Sequence, residues 1–220
     1  MSVVAIDGPA GAGKSTVARR VAGELGFAYL DTGAMYRAVA LGALEREVPL
    51  EDAERLADLV SHVFVEEGSE RICLDGRDVS DRIRENDVTA AVSKVAAHPE
   101  VRTALVERQR KLAGEEDVVM EGRDIATTVA PDAAVKIFLS ASLEERARRR
   151  LRQLDRSESD VTLAELGDAL AARDRADAGR SVSPFAKAPD AIEIDSTNRD
   201  IEEVVRDIVA AARGRLRGDH

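Results

Sequence analysis

The sequence predicts an α/β protein built on a five-stranded parallel sheet with helices on both faces. Three observations support this fold class. Five short apolar runs are spaced along the chain, helical patterns fill most of the gaps between them, and a glycine-rich turn joins the first run to a helix. The predicted strands are Val3–Ile6, Phe27–Leu30, Val118–Met120, Val135–Leu139 and Ala191–Ile194.

The turn after the first strand matches the phosphate-binding pattern Gly-x4-Gly-Lys-Ser/Thr. Glycines let successive backbone N–H groups point at phosphate oxygens, and the following helix adds its positive N-terminal end. Lys14 is then placed to reach the β and γ phosphates, and the Ser15 hydroxyl to bind Mg2+. We therefore predict a P-loop that binds a nucleoside triphosphate through Gly8, Pro9, Ala10, Gly11, Ala12, Gly13, Lys14, Ser15 and Thr16.

Almost ninety residues separate the second and third strands, which is more than a crossover connection needs. This gap must hold an insertion. Its patterns predict helices over Thr32–Glu47 and Asp52–Val63, a small antiparallel hairpin or meander over Phe64–Gly76, and helices over Asn86–Ala97 and Glu100–Ala113.

The predicted helix that follows the fourth strand, Leu143–Arg156, carries six arginines. Two interpretations are open: a solvated face paired with Glu144 and Glu145, or a flap whose arginines reach phosphate, which we favour beside a phosphate loop. Two closing helices are predicted over Leu163–Ala178 and Ile201–Leu216.

Composition narrows the class of protein further. The 220 residues suit one α/β domain, and 44% hydrophobic residues suffice for a core. A net charge of −10 argues against nucleic acid or acidic membranes as partners. One cysteine, no leader and no apolar run of about 18 residues lead us to expect a cytosolic protein without a membrane span. We also expect a monomer.

Three further motifs narrow the kind of nucleotide-binding protein. With the P-loop, they resemble the bacterial cytidylate kinases, which belong to the nucleoside monophosphate kinase group, and the similarity runs from about Val3 to Thr197. The motifs are Asp31-Thr32-Gly33-Ala34-Met35-Tyr36-Arg37, Glu121-Gly122-Arg123-Asp124 and Arg173-Asp174-Arg175-Ala176-Asp177-Ala178-Gly179-Arg180.

The resemblance implies transfer of the γ-phosphoryl group of ATP, with Mg2+, to CMP or dCMP. It implies a core of about residues 1–31, 114–147 and 161–220, a monophosphate-binding segment over about 32–113 with a small extra sheet, and a lid over about 148–160.

Site residues carry over by position. The resemblance gives catalytic roles to Lys14, Arg123, Arg173 and Arg180. It assigns the cytosine edge to Ser93, Arg102 and Asp124, the acceptor phosphate to Arg37, Arg123 and Arg180, and the sugar to Thr32, Arg173 and Asp177. Glu121 departs from the Asp often found at its position, which leaves the role of that carboxylate open.

These residue types suit the reaction. Transfer between two anionic nucleotides needs several fixed cations, and arginine binds phosphate in bidentate fashion without losing its proton. A carboxylate such as Asp124 can accept from the amino group of cytosine, while Arg102 can donate to its N3/O2 edge. Asp124 could instead bind Mg2+, and Arg173–Asp174 could be a self-satisfied surface pair.

Two rival functions are weighed against this one. Another small-molecule kinase would keep both anion sites but leave the cytosine contacts coincidental. The second is a nucleotide-dependent switch, here one that depends on GTP. Such a switch would be expected to carry an Asn-Lys-x-Asp guanine-reading motif, and the nearest stretch, Thr197–Asp200, lacks the lysine. The sequence therefore disfavours the switch.

Overall fold

In the computed structural model, which describes residues 1–65, 71–153 and 161–216, five parallel strands form the central sheet. Strand β1 lies at its centre because Val4 is paired with Val119 on one side and with Val135 on the other. The order is β2-β6-β1-β7-β8, with β1 at Val3–Asp7, β2 at Ala28–Asp31, β6 at Val118–Gly122, β7 at Val135–Ser140 and β8 at Ile192–Asp195. All five predicted strands are confirmed.

The described part of the chain contains eight α-helices. They are α1 (Lys14–Leu25), α2 (Thr32–Glu45), α3 (Ala53–Asp58), α4 (Asn86–Val95), α5 (Pro99–Ala113), α6 (Leu143–Gln153), α7 (Leu163–Ala178) and α8 (Ile201–Leu216). Local signals set several of their ends. The Asp31 carboxylate accepts from the N–H of Ala34 at the start of α2, and Thr162 and Glu165 form a capping box at the start of α7.

The insertion contains the predicted small antiparallel sheet, in the order β3-β4-β5 (Val63–Val65, Ile72–Leu74 and Arg77–Asp78). The predicted helix Asp52–Val63 was too long. Helix α3 ends at Asp58, a 3-10 turn covers Leu59–His62, and Val63 already pairs with Leu74. The turn predicted between the first two strands of this sheet falls on residues 66–70, outside the described residues.

Apolar side chains form a core on each face of the sheet. On one face Met35 and Val39 of α2 pack with Leu105 of α5 and Met120 of β6. On the other face the side chains come from α1 and α8, β1, β6, β7 and β8; Val17, Val21, Ile6, Ile137 and Ile208 are among them. Helical spacing on α1 and α2, and alternation along β6, where Val119 and Met120 face opposite sides, explain the two-sided packing. As a result, the carboxyl ends of the strands stay open at one edge.

Within the described ranges, no helix combines the length and apolar character that a membrane span requires. Helix α6 extends to Gln153. The rest of its predicted length, and residues 154–160 of the predicted lid, lie outside the described residues.

Candidate active site

A cleft of about 1490 Å3 opens at the carboxyl edge of the sheet. Its lining includes the P-loop after β1, the turn after β6, and residues of the insertion, α6 and α7. Because parallel strands all end at this edge, residues far apart in the sequence meet there. The predicted residues that line it are Ala10, Gly11, Ala12, Gly13, Lys14, Ser15, Thr16, Arg37, Ser93, Arg123 and Arg173.

The P-loop is held in the curled form that the glycines predicted. Gly11 and Gly13 have φ angles of 79° and 92°, which L-residues with side chains rarely adopt. A Cβ on Gly8 would lie 2.1 Å from the carbonyl oxygen of Leu139, so this residue has no room for a side chain. The loop therefore approaches β7 closely before it opens into α1.

Lys14 lies buried at the start of α1, with its Nζ donating to the carbonyl of Pro9 at 2.9 Å. Burial and the nearby guanidinium of Arg123 lower the pKa of Lys14 to about 7. An anionic phosphate in this cleft would favour the charged ammonium. The lysine is thus poised to gain charge on binding its ligand.

Glu121, the departure from the family pattern, lies buried at the end of β6 beside the P-loop. Burial raises the pKa of its carboxyl group, and hydrogen bonds from Tyr29 and Ser15 act in the opposite direction. The Glu121 carboxylate and the Ser15 hydroxyl are therefore neighbours, and both are hard oxygen donors of the kind that suit Mg2+.

Three of the predicted acceptor-site residues form one ionic cluster. The Asp177 carboxylate on α7 accepts from Arg123 Nε at 3.1 Å and from Arg180. Arg173, one turn earlier on α7, is half-buried, and its Nε is shielded from solvent with no described group accepting from it. Burial and the guanidiniums of Arg123 and Arg37 lower its pKa to about 10. The cluster carries more positive than negative charge, which suits an anionic ligand.

Arg102 and Asp124 form an ion pair deep in the protein, and their side chains are 2% and 8% exposed. Arg102 also donates to the carbonyl of Ala96 at 3.2 Å and lies over the ring of Tyr36. Its Nε is buried without an acceptor among the described residues. The pair therefore leaves one buried donor unused, and neither residue belongs to the described lining of the cleft.

The remaining predicted residues lie around the same cleft. The Thr32 hydroxyl donates to the carbonyl of Glu121 at 2.7 Å, and Arg37 donates to the Thr89 hydroxyl at 2.8 Å. Ser93 on α4 is half-buried in the lining. Thr32 therefore links α2 to the end of β6, and Arg37 links α2 to α4.

The arginines of α6 divide between the two interpretations. Arg148 and Arg152 are exposed and paired with Glu144 and Glu145, as a solvated face predicts. Arg149, Arg150 and Arg152 line the cleft, as a phosphate-facing flap predicts, so Arg152 fits both interpretations.

Two positions do not follow the sequence-based interpretations. Arg146 is buried and donates to the carbonyl of Ala10 in the P-loop at 3.1 Å. Asp174 bonds Arg146 and the Ala10 N–H, so the surface pair Arg173–Asp174 was the wrong interpretation.

Sequence reasoning also missed Asp7, the last residue of β1. It is 2% exposed, and its carboxylate accepts from the N–H groups of Ile125 and Ala126 at 2.9 and 2.8 Å. These bonds fix the π-helical turn Ile125–Val129 directly after Asp124. An aspartate at the end of a buried strand, next to the P-loop, was the only available signal.

Comparisons with known proteins agree with this geometry. The family described as cytidylate kinase matches residues 4–214. A cytidylate kinase of Caldanaerobacter subterraneus is 48% identical over 216 residues, covering 98% of this chain and 96% of the relative. One from Bacillus cereus is 50% identical, covering 96% of each chain.

Among solved structures, a gluconokinase from Sinorhizobium meliloti is 15% identical and superposes with a TM-score of 0.51, covering 98% of this chain and 94% of the other. That likeness supports the fold alone. The family match and the identity along nearly the whole length show more: this chain belongs to the cytidylate kinase family.

Proposed function

We propose that this protein transfers the γ-phosphoryl group of ATP to CMP or dCMP, giving ADP and CDP or dCDP. The observation that carries the proposal is the buried Arg102–Asp124 pair, whose two charges lie close to Arg180 of the arginine cluster. Family membership and relatives named cytidylate kinase support the same reaction.

In this proposal the P-loop holds the triphosphate of ATP. Backbone N–H groups and the N-terminal end of α1 bind the phosphate oxygens, and the Lys14 ammonium stabilises negative charge that develops during transfer. Lys14 leaves the carbonyl of Pro9 to do so, a change favoured by the anionic ligand.

The acceptor phosphate is proposed to bind the guanidiniums of Arg37, Arg123 and Arg180, with Arg173 at the junction of the two nucleotides. A phosphate oxygen of CMP attacks the γ phosphorus as the bond to the β–γ bridging oxygen breaks, and ADP leaves with that oxygen. Catalysis of this step requires alignment and charge neutralisation, which fixed arginines supply. Asp177 orients two of them through the hydrogen bonds already described.

The base is proposed to bind at Arg102 and Asp124, with Ser93 beside it. Asp124 accepts from the exocyclic amino group of cytosine, and the unused Nε of Arg102 marks spare donor capacity for the N3/O2 edge. Uracil would place a carbonyl against the carboxylate. Such a mismatch leaves buried polar groups unpaired, so the site discriminates against UMP.

Mg2+ is the metal that the reaction implies. Within the described ranges no three His, Cys, Asp or Glu side chains are grouped as metal ligands. A site that takes most of its ligands from substrate phosphates and water needs no such group. The Ser15 hydroxyl and the Glu121 carboxylate fit the remaining positions. Bound there, the ion would neutralise phosphate charge.

The proposal extends to organisation. We assign the acceptor site to residues 32–113 together with α7, and a lid to residues 148–160, of which 154–160 lie outside the described part of the chain. We also propose a monomeric cytosolic enzyme that acts on small molecules, with no nucleic-acid partner.

A coupled assay of ADP release tests the function. The purified chain would be given ATP, Mg2+ and each of CMP, dCMP, UMP, AMP and GMP, and the diphosphate product would be identified by chromatography. We expect CMP and dCMP to be the preferred acceptors. Preparations of the Lys14→Ala variant control for contaminating kinases. ATP turnover that neither cytosine nucleotide accelerates would contradict the proposal.

A further inference from the structure

The Asp174 carboxylate joins α7 to the P-loop. One of its oxygens accepts from the Ala10 N–H at 3.3 Å, and the other accepts from Arg146 Nη1 at 2.5 Å. Asp174 and Arg146 have side chains that are 19% and 9% exposed. These contacts are therefore largely shielded from water. Removing one partner of such a shielded ion pair is costly, because it leaves the other charge uncompensated.

Arg146, on α6, binds the other backbone polar group of Ala10. Its Nη1 donates to the Ala10 carbonyl at 3.1 Å, while its Nε donates to the Ala141 carbonyl at 3.2 Å. A Cβ placed on Gly11 would lie 3.1 Å from the Cβ of Arg146, so the loop rests directly on this side chain. Both polar groups of Ala10 are thus bound by one carboxylate–guanidinium pair.

The bonds of this pair are directed at the P-loop and its surroundings. The Ala10 N–H donates to Asp174, and Nε and Nη1 of Arg146 donate to two carbonyls and a carboxylate, so these donors are engaged within the protein. The pair is also neutral as a unit, so it adds no net charge to the donor site. Its effect on the P-loop is one of position.

The same helix forms part of the acceptor site. Arg173 precedes Asp174 directly, and Asp177, one turn later, accepts from Arg123 and Arg180. An acceptor phosphate bound by these arginines would fix the position of α7. Because Asp174 belongs to that helix and accepts from the Ala10 N–H, a shift of α7 would change the conformation of the P-loop at Ala10.

We propose that Asp174 and Arg146 are positioning residues that couple the two nucleotide sites, so that a nucleoside monophosphate bound against α7 raises the affinity of the P-loop for ATP. The inference rests on the proposed function, since it takes the acceptor site to be the one assigned above. Coupling of this kind is reciprocal: ATP raises the affinity for the monophosphate by the same factor.

The test measures binding without turnover. The dissociation constant of a non-hydrolysable ATP analogue is determined by calorimetry with Mg2+, in the absence and presence of saturating CMP. We expect CMP to tighten binding by about fivefold or more in the wild-type protein. In Asp174→Asn, and separately in Arg146→Lys, we expect the factor to fall below about twofold. The matched control is Asp168→Asn, an exposed aspartate on α7, which keeps the wild-type factor.

A purely structural role gives a different result. It would weaken binding of the ATP analogue equally with and without CMP. The ratio of the two dissociation constants would then equal that of the wild-type protein, and that outcome would overturn the proposal. A ratio of one in the wild-type protein would also overturn it. In the double variant, CMP should change the affinity for the analogue by a factor no lower than in either single variant. The reason is that both substitutions remove the same Asp174–Arg146 contact.

A second measurement needs no substitution and so applies even if the variants fail to fold. Amide hydrogen exchange at Ala10, followed by NMR in the wild-type protein, should slow when CMP alone is bound. Unchanged exchange at Ala10 with CMP saturating would overturn the proposal. Calorimetry with CMP alone separates the two hypotheses: absence of CMP binding refutes the proposed function, whereas normal CMP binding without coupling refutes only this inference.

Discussion

Arg102 on α5 and Asp124, two residues after the end of β6, form a buried ion pair. The two residues are 22 positions apart, and neither belongs to the P-loop motif. A buried pair of this kind is costly unless both partners are well bonded, and here the Nε of Arg102 lacks an acceptor among the described residues. That combination of cost and spare bonding capacity is typical of a ligand site.

We predict that Asp124→Asn relaxes base selection. The amide can donate to the uracil carbonyl, so the ratio of kcat/KM for CMP over UMP should fall by about tenfold or more. Steady-state rates with both nucleotides measure the ratio, and the exposed Asp168→Asn is the control. An unchanged ratio would show that the carboxylate does not read the base.

We predict that Arg180→Ala and Arg123→Ala weaken the binding of CMP more than the binding of ATP. Each removes a charge-assisted hydrogen bond to the acceptor phosphate, worth about 1.5–3 kcal/mol. The Kd of CMP should therefore rise by about tenfold to a hundredfold, and that of the ATP analogue by less than about threefold. Arg175→Ala, an exposed change on the same helix, serves as control. Equal losses for both nucleotides would contradict the assignment.

We predict that Lys14→Ala lowers kcat by about a hundredfold to a thousandfold, since it removes a preorganised charge from the transition state. The exposed Lys94→Ala is the matched control. Single-turnover rates at saturating ATP and CMP separate chemistry from binding. Near-normal turnover in Lys14→Ala would remove this residue from the mechanism.

We predict a pH-dependent stability effect from Asp7. Burial raises the pKa of its carboxyl group from 3.8 to about 6. Because the folded-state pKa is the higher one, the folded chain keeps the proton between about pH 4 and pH 6, and the free energy of unfolding falls as pH rises through this window. Between pH 4 and pH 7, the free energy of unfolding of the wild-type protein should fall by up to about 3 kcal/mol relative to that of Asp7→Asn.

Urea unfolding of both proteins across that pH range checks this prediction. Asp168→Asn is again the control, because an exposed aspartate offers no comparable burial. Curves of stability against pH that run parallel for the wild-type protein and Asp7→Asn would show that the Asp7 carboxyl titrates alike in the folded and unfolded chains.

The sheet could be predicted because its signal is local. Each strand is a short apolar run, and the parallel arrangement follows from helical patterns between the runs. The helix predicted over Asp52–Val63 was too long because Val60 and Val63, three positions apart, continue the helical period past the end of α3. Pairing of Val63 with Leu74 places Val63 in a strand instead, and that contact is not local.

The interior of the site was only partly predictable for the same reason. Motifs and the resemblance identified the residues that we propose to touch nucleotides, but not those that support them. Arg146 and Asp174 are 28 residues apart, and Asp7 bonds N–H groups 118 and 119 residues away. Nothing in the spacing of these residues predicts such contacts, since they depend on how helices and strands pack.

The most direct test of the account is calorimetric titration of the protein with CMP and with UMP in the absence of ATP. We predict that CMP binds with a Kd about tenfold or more below that of UMP, and that Asp124→Asn narrows the difference between the two Kd values. Equal affinity for the two nucleotides, or no detectable binding of CMP, would contradict it.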